Sequence, residues 1–186
     1  MGLSSRVATR DDVGALRELI DLAIAELSKA FLDDDQIRSS TAIMGLDTQL
    51  IDDGTYFVIE LDGALAGCGG WSRRATLYGG DHSTQRDIAL LDPATDPAKV
   101  RAMYTHPDFA RRGVGRMILG LCERAAAAEG YTRLELMATM SGEPLYRSYG
   151  FEEINRIEDA RGGAPVPIVR MGKKVRIVQG GGDQAS

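Results

Sequence analysis

Four arginines, Arg101, Arg111, Arg112 and Arg116, fall within one short stretch of a chain whose formal net charge is −5. Such a cluster suits a compact polyanion such as a nucleotide pyrophosphate, although the solvated start of a helix would look the same. The segment around it reads Tyr104-Thr105-His106-Pro107-Asp108-Phe109-Ala110-Arg111-Arg112-Gly113-Val114-Gly115-Arg116: a strand end, a turn with two glycines and the opening of an amphipathic helix. The first N–H groups of a helix lack intrahelical acceptors and sit at the positive end of its dipole, while glycine lets phosphate oxygens approach the main chain. Ala110, Arg111, Arg112, Gly113, Val114, Gly115 and Arg116 are therefore the candidate contacts of a bound pyrophosphate. A Rossmann turn is the rival reading, with Glu135 near the spacing of a ribose-binding acid. That fingerprint wants Gly or Ala where this chain has Ile118, and too little chain follows the turn to build that fold.

Other reactive residue types are sparse. Cys68 and Cys122 lie in apolar surroundings without a C-x-x-C pair or a histidine cluster, so they read as buried thiols in a reducing compartment, with no metal site and no disulfide. His106 precedes Pro107 at the turn and reads as structural, and His82 falls in a segment of uncertain structure.

The elements that must hold the turn follow from periodicity. Val13, Leu16, Leu19, Ile20, Ala23, Ile24 and Leu27 recur at helical spacing, which predicts a first helix over 12–30, capped by Thr9 or Asp11. Asp33, Asp34 and Asp35 cap a second, weaker helix ending near Met44 or Gly45. Residues 55–61 and 64–71, joined by Asp62-Gly63, form a hairpin. An excursion over 73–98 carries Gly79-Gly80, Pro93 and Pro97 and reads either as a substrate-side flap or as an inert insertion. Strands at 100–105 and 133–138 flank a helix over 113–129 that ends at Gly130. A short helix over 144–149, a strand over 151–158 and a last strand over 166–171, extended towards Val178, complete the order.

The length of 186 residues suits one domain with a sizeable core, and 44% hydrophobic with 26% charged residues is the balance of a folded protein. The expected organisation is one domain over 1–178 and a flexible C-terminal tail over 179–186. Negative net charge disfavours non-specific binding to nucleic acid, and no run approaches a membrane span, so the expected setting is the cytoplasm.

The turn resembles the acetyl-CoA turn of the GNAT superfamily of N-acetyltransferases, whose pattern is Gln/Arg-x-x-Gly-x-Gly/Ala. Gly113 and Gly115 match its small positions, and Ala110 departs from its first. The opening Arg6-Val7-Ala8-Thr9-Arg10-Asp11-Asp12 is similar to the family's first strand and helix start. Leu145-Tyr146-Arg147-Ser148-Tyr149-Gly150-Phe151 is similar to its Tyr-x-x-x-Gly-Phe element.

The resemblance implies an α/β single domain with a mixed, mostly antiparallel sheet flanked by helices, in which the strands at 100–105 and 133–138 are a parallel pair that splays apart. It implies acetyl-CoA as cosubstrate without a metal, with the backbone of Met103, Tyr104 and Thr105 pairing with the pantetheine arm. It further implies direct attack by a primary amine, carried on a small molecule or a peptide, on the thioester. Tyr146 matches the tyrosine that protonates the departing thiolate, its alternative being an aromatic core contact, and Tyr149 reads as core or wall. The N–H of Met103 or Tyr104 would meet the oxyanion. Glu143, Glu26, Tyr104 or water are the open choices of base. The acceptor pocket is expected between the first two helices, 71–78 and 158–165. A homodimer is allowed, whereas nucleic-acid and membrane partners are not expected. The alternatives in function are a non-catalytic acetyl-CoA-binding regulatory module and a nucleotide-binding oxidoreductase.

Overall fold

The structure, a computed structural model, describes residues 2–84 and 86–176; the expected tail over 179–186 and the extension to Val178 lie outside the described residues. Seven strands form one sheet: β1 (Leu3–Val7), β2 (Tyr56–Leu61), β3 (Ala64–Ser72), β4 (Ala98–Thr105), β5 (Arg133–Thr139), β6 (Glu152–Asp159) and β7 (Val166–Lys174). Their spatial order is β1-β2-β3-β4-β5-β7-β6. Only β4 and β5 are parallel. The expected mixed sheet with a parallel pair is the one observed.

The helices are α1 (Val13–Leu27), α2 (Asp34–Ser40), α3 (Thr48–Asp52), α4 (Val114–Ala128) and α5 (Glu143–Tyr149). In α1 the periodic positions Leu16, Leu19, Ile20, Ala23 and Ile24 are buried, as their spacing requires. Leu16, Leu19, Ile20 and Ile24 pack with Tyr56, Val58 and Cys68 into one core cluster. A second cluster gathers Val114, Ile118, Leu119 and Cys122 of α4 with Tyr146, Phe151 and Met171. Each such aliphatic side chain contributes about 1.5–3 kcal/mol by leaving water. The two clusters place α1 and α4 on opposite faces of the sheet.

Two expectations need correction. The second helix ends at Ser40 rather than near Met44, because the N–H groups of Thr41, Ala42 and Ile43 turn back on carbonyls three residues earlier and tighten the chain. The Ser39 hydroxyl also donates to the Ala164 carbonyl at 2.5 Å. Helix α3 was not anticipated, since five residues carry no periodic stripe; Asp47 caps it by accepting from the Gln49 N–H at 3.0 Å.

Helix α4 can approach β3 closely because the strand offers no side chain there. A Cβ on Gly67 would stand 2.4 Å from Val114 Cγ1, and one on Gly69 would stand 2.7 Å from Ile118 Cγ2. The first turn of α4 is thereby pressed against the sheet beside β4.

Candidate active site

Strands β4 and β5 pair only at Ala98 with Leu134 and Lys99 with Glu135, and then part. A buried ion cluster fastens the closed end: Lys99 Nζ donates to Glu135 Oε2 at 3.1 Å and Arg170 Nη2 to the same oxygen at 2.6 Å. Burial alone would raise the Glu135 pKa, but these two cations bring it below its ordinary value. Just beyond, β4 bulges. Cys68 faces Tyr104 and Gly70 faces Arg101, so β4 carries an extra residue there, and Ala102 has φ of 50°. The Tyr56 hydroxyl donates to the Ala102 carbonyl at 2.7 Å and holds the bulge. The added twist leaves the β5-facing edge of β4 without a strand partner from Val100 to Thr105.

A cleft of about 720 Å³ passes through this opening. On the α4 side its wall includes Ala110, Arg111, Gly113, Val114, Gly115 and Arg116; in the middle lie Met103, Tyr104, Thr105 and Tyr146; α1 and residues 77–79 close the other side. Of the residues proposed from the sequence for anion contact, Arg112 alone is off this wall: its guanidinium stands 5.8 Å over the Phe109 ring. Arg101 lines the cleft but is not a free cation, because it is buried and paired with Asp47 at 3.0 Å. Arg116 lies 5.5 Å over the Tyr149 ring on the cleft wall.

The turn itself is built for backbone contacts. Gly113 caps α4 at φ of 85° with no side-chain hydrogen bond, and Arg111 also has positive φ, at 65°. The N–H groups of Val114, Gly115 and Arg116 are left for an external acceptor. The residues present thus fit a diphosphate ester at the turn and an extended polar chain along the open edge of β4.

Tyr146 is 9% exposed, stacks edge-on against Phe151 with centroids 6.0 Å apart, and makes no hydrogen bond through its hydroxyl among the described residues. Burial, with Tyr104 and Cys122 nearby, pushes its phenol well above its ordinary pKa, so it stays protonated at neutral pH. Tyr104 is likewise raised by burial, and its hydroxyl accepts the Gly45 N–H at 2.9 Å. A phenol so held is a poor base. Tyr149 is committed elsewhere: its hydroxyl donates to Glu123 Oε2 at 2.7 Å.

Neither carboxylate considered as a base lines the cleft. Glu143 is held by Arg147 and Arg156, which outweigh burial and keep its pKa below the usual range. Glu26 pairs with Lys29 on the exposed face of α1. His106 Nδ1 accepts from the Asp108 N–H at 3.1 Å, the structural part its place before Pro107 suggested. His82 meets the Thr41 carbonyl. Both cysteines are buried and free; burial pushes the Cys68 thiol up to about 12 and the Cys122 thiol higher still. Neither can serve as a thiolate nucleophile at neutral pH. Among the described residues no group of three or more His, Cys, Asp or Glu is placed to hold a metal ion, and no helix is long and apolar enough to cross a membrane.

The family profile of the acetyltransferase (GNAT) domain matches residues 52–153, from the sheet hairpin through the turn, α4 and α5. The chain belongs to the GNAT acetyltransferases. It is accordingly an acyltransferase of the family that uses acetyl-CoA as donor. No curated protein sequence matches it. Solved structures of the same fold include a GCN5-related N-acetyltransferase from Rhodopseudomonas palustris, with TM-score 0.69, 17% identity, and 94% of this chain and 96% of that one covered. The PaiA N-acetyltransferase from Thermoplasma acidophilum, solved with coenzyme A, gives TM-score 0.62 at 14% identity over 94% and 99% of the two chains. YncA from Salmonella typhimurium, solved with acetyl-CoA, gives 0.62 at 18% over 95% of each. These identities speak for the fold alone.

The oxidoreductase reading falls with this assignment, and Glu135, its ribose candidate, is occupied by Lys99 and Arg170 on β5. The expected border at the second helix and at 71–78 does reach the cleft, through Met44, Leu77 and Tyr78, whereas the sequence did not single out Gly79, Met137 or Ile168 as wall residues. Apolar residues on separate strands and loops carry no local signal of a shared cavity. Residues 158–165, expected at the acceptor pocket, act from behind instead: Asp159 accepts from the Tyr78 hydroxyl at 2.7 Å and pairs with Arg161. Arg161, whose guanidinium and backbone N–H both donate to it, holds the Asp159 pKa down at about 2. Within the excursion, Leu77, Tyr78 and Gly79 are therefore a fastened part of the cleft wall.

Proposed function

We propose that this acetyltransferase moves the acetyl group of acetyl-CoA to a primary amine by direct attack in a ternary complex, within a single domain. The observation that carries this reading is the Tyr146 hydroxyl, without a partner among the described residues, in the cleft where β4 and β5 part. The N–H groups of Val114, Gly115 and Arg116 hold the pyrophosphate, with Arg111 and Arg116 adding charge. The open edge of β4 at Met103, Tyr104 and Thr105 pairs with the pantetheine arm as an added strand would. A β4 N–H accepts the developing charge on the carbonyl oxygen. As the amine attacks the thioester carbon, the C–S bond breaks and the departing sulfur takes the Tyr146 proton; the acetylated nitrogen releases its extra proton to water, and water returns one to the Tyr146 oxygen.

Among the described residues that line the cleft there is no carboxylate or histidine to take a proton from an ammonium ion. The acceptor must therefore arrive neutral. The test is release of free thiol, coupled to detection of the acetylated product, over a range of pH. Turnover at subsaturating amine is expected to rise with pH up to the acceptor's own pKa, about 10 for an alkylamine, and a less basic amine should shift the profile down by the difference in pKa. A profile fixed in place across acceptors would reveal a protein base instead. Absence of product with every amine tried would sink the transfer reaction.

The coenzyme turn has its own check. Gly113→Val places a β-branched side chain at φ of 85°, a conformation such residues rarely adopt. Affinity for acetyl-CoA, read by calorimetric titration, should fall on the order of tenfold or more, which is 1.4 kcal/mol per decade. Arg124→Ala, on the exposed side of α4, should change it little. Equal affinities in the two folded variants would move the pyrophosphate elsewhere.

A further inference from the structure

The acceptor side of the cleft is defined by what its wall lacks. Ile24 and Leu27 of α1, Phe31 beyond it, Leu77 of the excursion, Met137 of β5 and Ile168 of β7 all line the cleft. The charged residues lining the cleft are Arg101, Arg111 and Arg116, all cations, and the last two belong to the coenzyme turn. The carboxylates that bond wall residues are already consumed. Asp47 is 2% exposed and engaged by Arg101, Arg86 and the Gln49 N–H. Asp159 is 8% exposed and engaged by Arg161 and the Tyr78 hydroxyl. A second ammonium on an acceptor would enter this wall with no counterion, a desolvation without repayment. Phe31 meanwhile forms part of the wall while remaining 51% exposed, an aromatic edge at the cleft that an apolar ligand would cover.

From this distribution we infer that the acceptor is a monoamine whose single nitrogen is carried on a compact apolar body, aryl or alkyl, and that polycationic amines are rejected. The inference rests on the transferase reading above. The apolar body lies against Leu27, Phe31, Met137 and Ile168, on the side of the β4–β5 opening away from the coenzyme turn, and the amine points back towards the thioester. A pocket of this kind selects by apolar burial and by leaving extra charges unpaired.

The experiment compares 2-phenylethylamine with spermidine at saturating acetyl-CoA, and measures binding of each amine to the coenzyme A complex by titration. The ratio of kcat/KM for 2-phenylethylamine over spermidine is expected to exceed about tenfold, the least that an unpaired buried charge should cost. Phe31→Asp, an exposed position whose change should not disturb folding, is expected to narrow that ratio by about tenfold while leaving the KM for acetyl-CoA unchanged. A wild-type ratio at or below one would overturn the inference, as would a ratio that Phe31→Asp leaves where it was. If neither amine is acetylated but 2-phenylethylamine still binds the complex ahead of spermidine, the transfer reaction fails and the acceptor class stands. If it neither reacts nor binds ahead, the acceptor class fails too.

Discussion

Tyr146→Phe is expected to lower the rate of acetyl transfer by on the order of 10²- to 10⁴-fold, the range of a positioned general acid, with acetyl-CoA affinity unchanged. The substitution keeps the ring that stacks edge-on against Phe151 and removes one oxygen that bonds nothing else among the described residues. Its loss therefore leaves no buried partner unsatisfied, and stability should stay within about 0.5 kcal/mol. The chemistry is the part that suffers. A thiolate leaving an apolar cleft needs a proton, and burial holds the Tyr146 phenol protonated far above neutral pH. The rate loss corresponds to about 3–5 kcal/mol in the barrier. Turnover, coenzyme titration and thermal unfolding on the same preparation separate the outcomes: a rate loss under about threefold would make Tyr146 a core residue, and a rate loss accompanied by weakened coenzyme binding would make it a wall of the pantetheine channel.

Asp47→Ala is expected to cost about 3–5 kcal/mol of folding stability, the usual consequence of stripping the partner from a buried charge. The side chains of Asp47 and Arg101 are each 2% exposed. Asp47 Oδ2 accepts from Arg101 Nη2 at 3.0 Å, while Oδ1 takes the Arg86 guanidinium and the first turn of α3. Without the carboxylate, Arg101 keeps the Gly79 carbonyl at 2.8 Å and the Thr76 carbonyl at 3.3 Å, dipoles that do not neutralise it. A domain stable by about 5–15 kcal/mol would feel this strongly. Urea unfolding measures it, and the double variant Asp47→Ala with Arg101→Met should recover most of the loss because the fully buried cation is gone, while the more exposed Arg86 keeps Asp81 at 4.0 Å. A loss below about 1 kcal/mol in the single variant would show that water reaches Arg101. Where the single variant still folds, the KM for the amine should rise more than that for acetyl-CoA, since Arg101 fastens the 76–79 wall and not the turn.

Much of this molecule was legible in one dimension. The three- and four-residue spacing of Leu16, Leu19, Ile20, Ala23 and Ile24 fixes the buried stripe of α1 whatever the rest of the chain does. Asp62-Gly63 between two β-rich runs specifies the β2–β3 hairpin, and Pro107 followed by Gly113 and Gly115 specifies where β4 stops and α4 starts. Local signals failed where a fold element was short or ended for nonlocal reasons, as with α3 and the end of α2 at Ser40, whose neighbour Ser39 reaches Ala164.

By itself, the sequence determined the order of the elements other than α3, the two-glycine turn that opens α4 and the family that turn resembles, because each depends on residues within a few positions of one another. The tertiary structure decided which arginine of the cluster is spent. Arg101 looks identical to Arg111 in the sequence, yet it is buried against an aspartate 54 positions away. It also decided where β4 and β5 part, through a bulge at Ala102 held by Tyr56 and an ion cluster joining Lys99, Glu135 and Arg170. The apolar character of the cleft beyond the turn belongs to the same class. Its apolar residues come from α1, the excursion, β5 and β7, and a cavity is a property of surfaces that meet only once the chain has folded, so no window of sequence contains it.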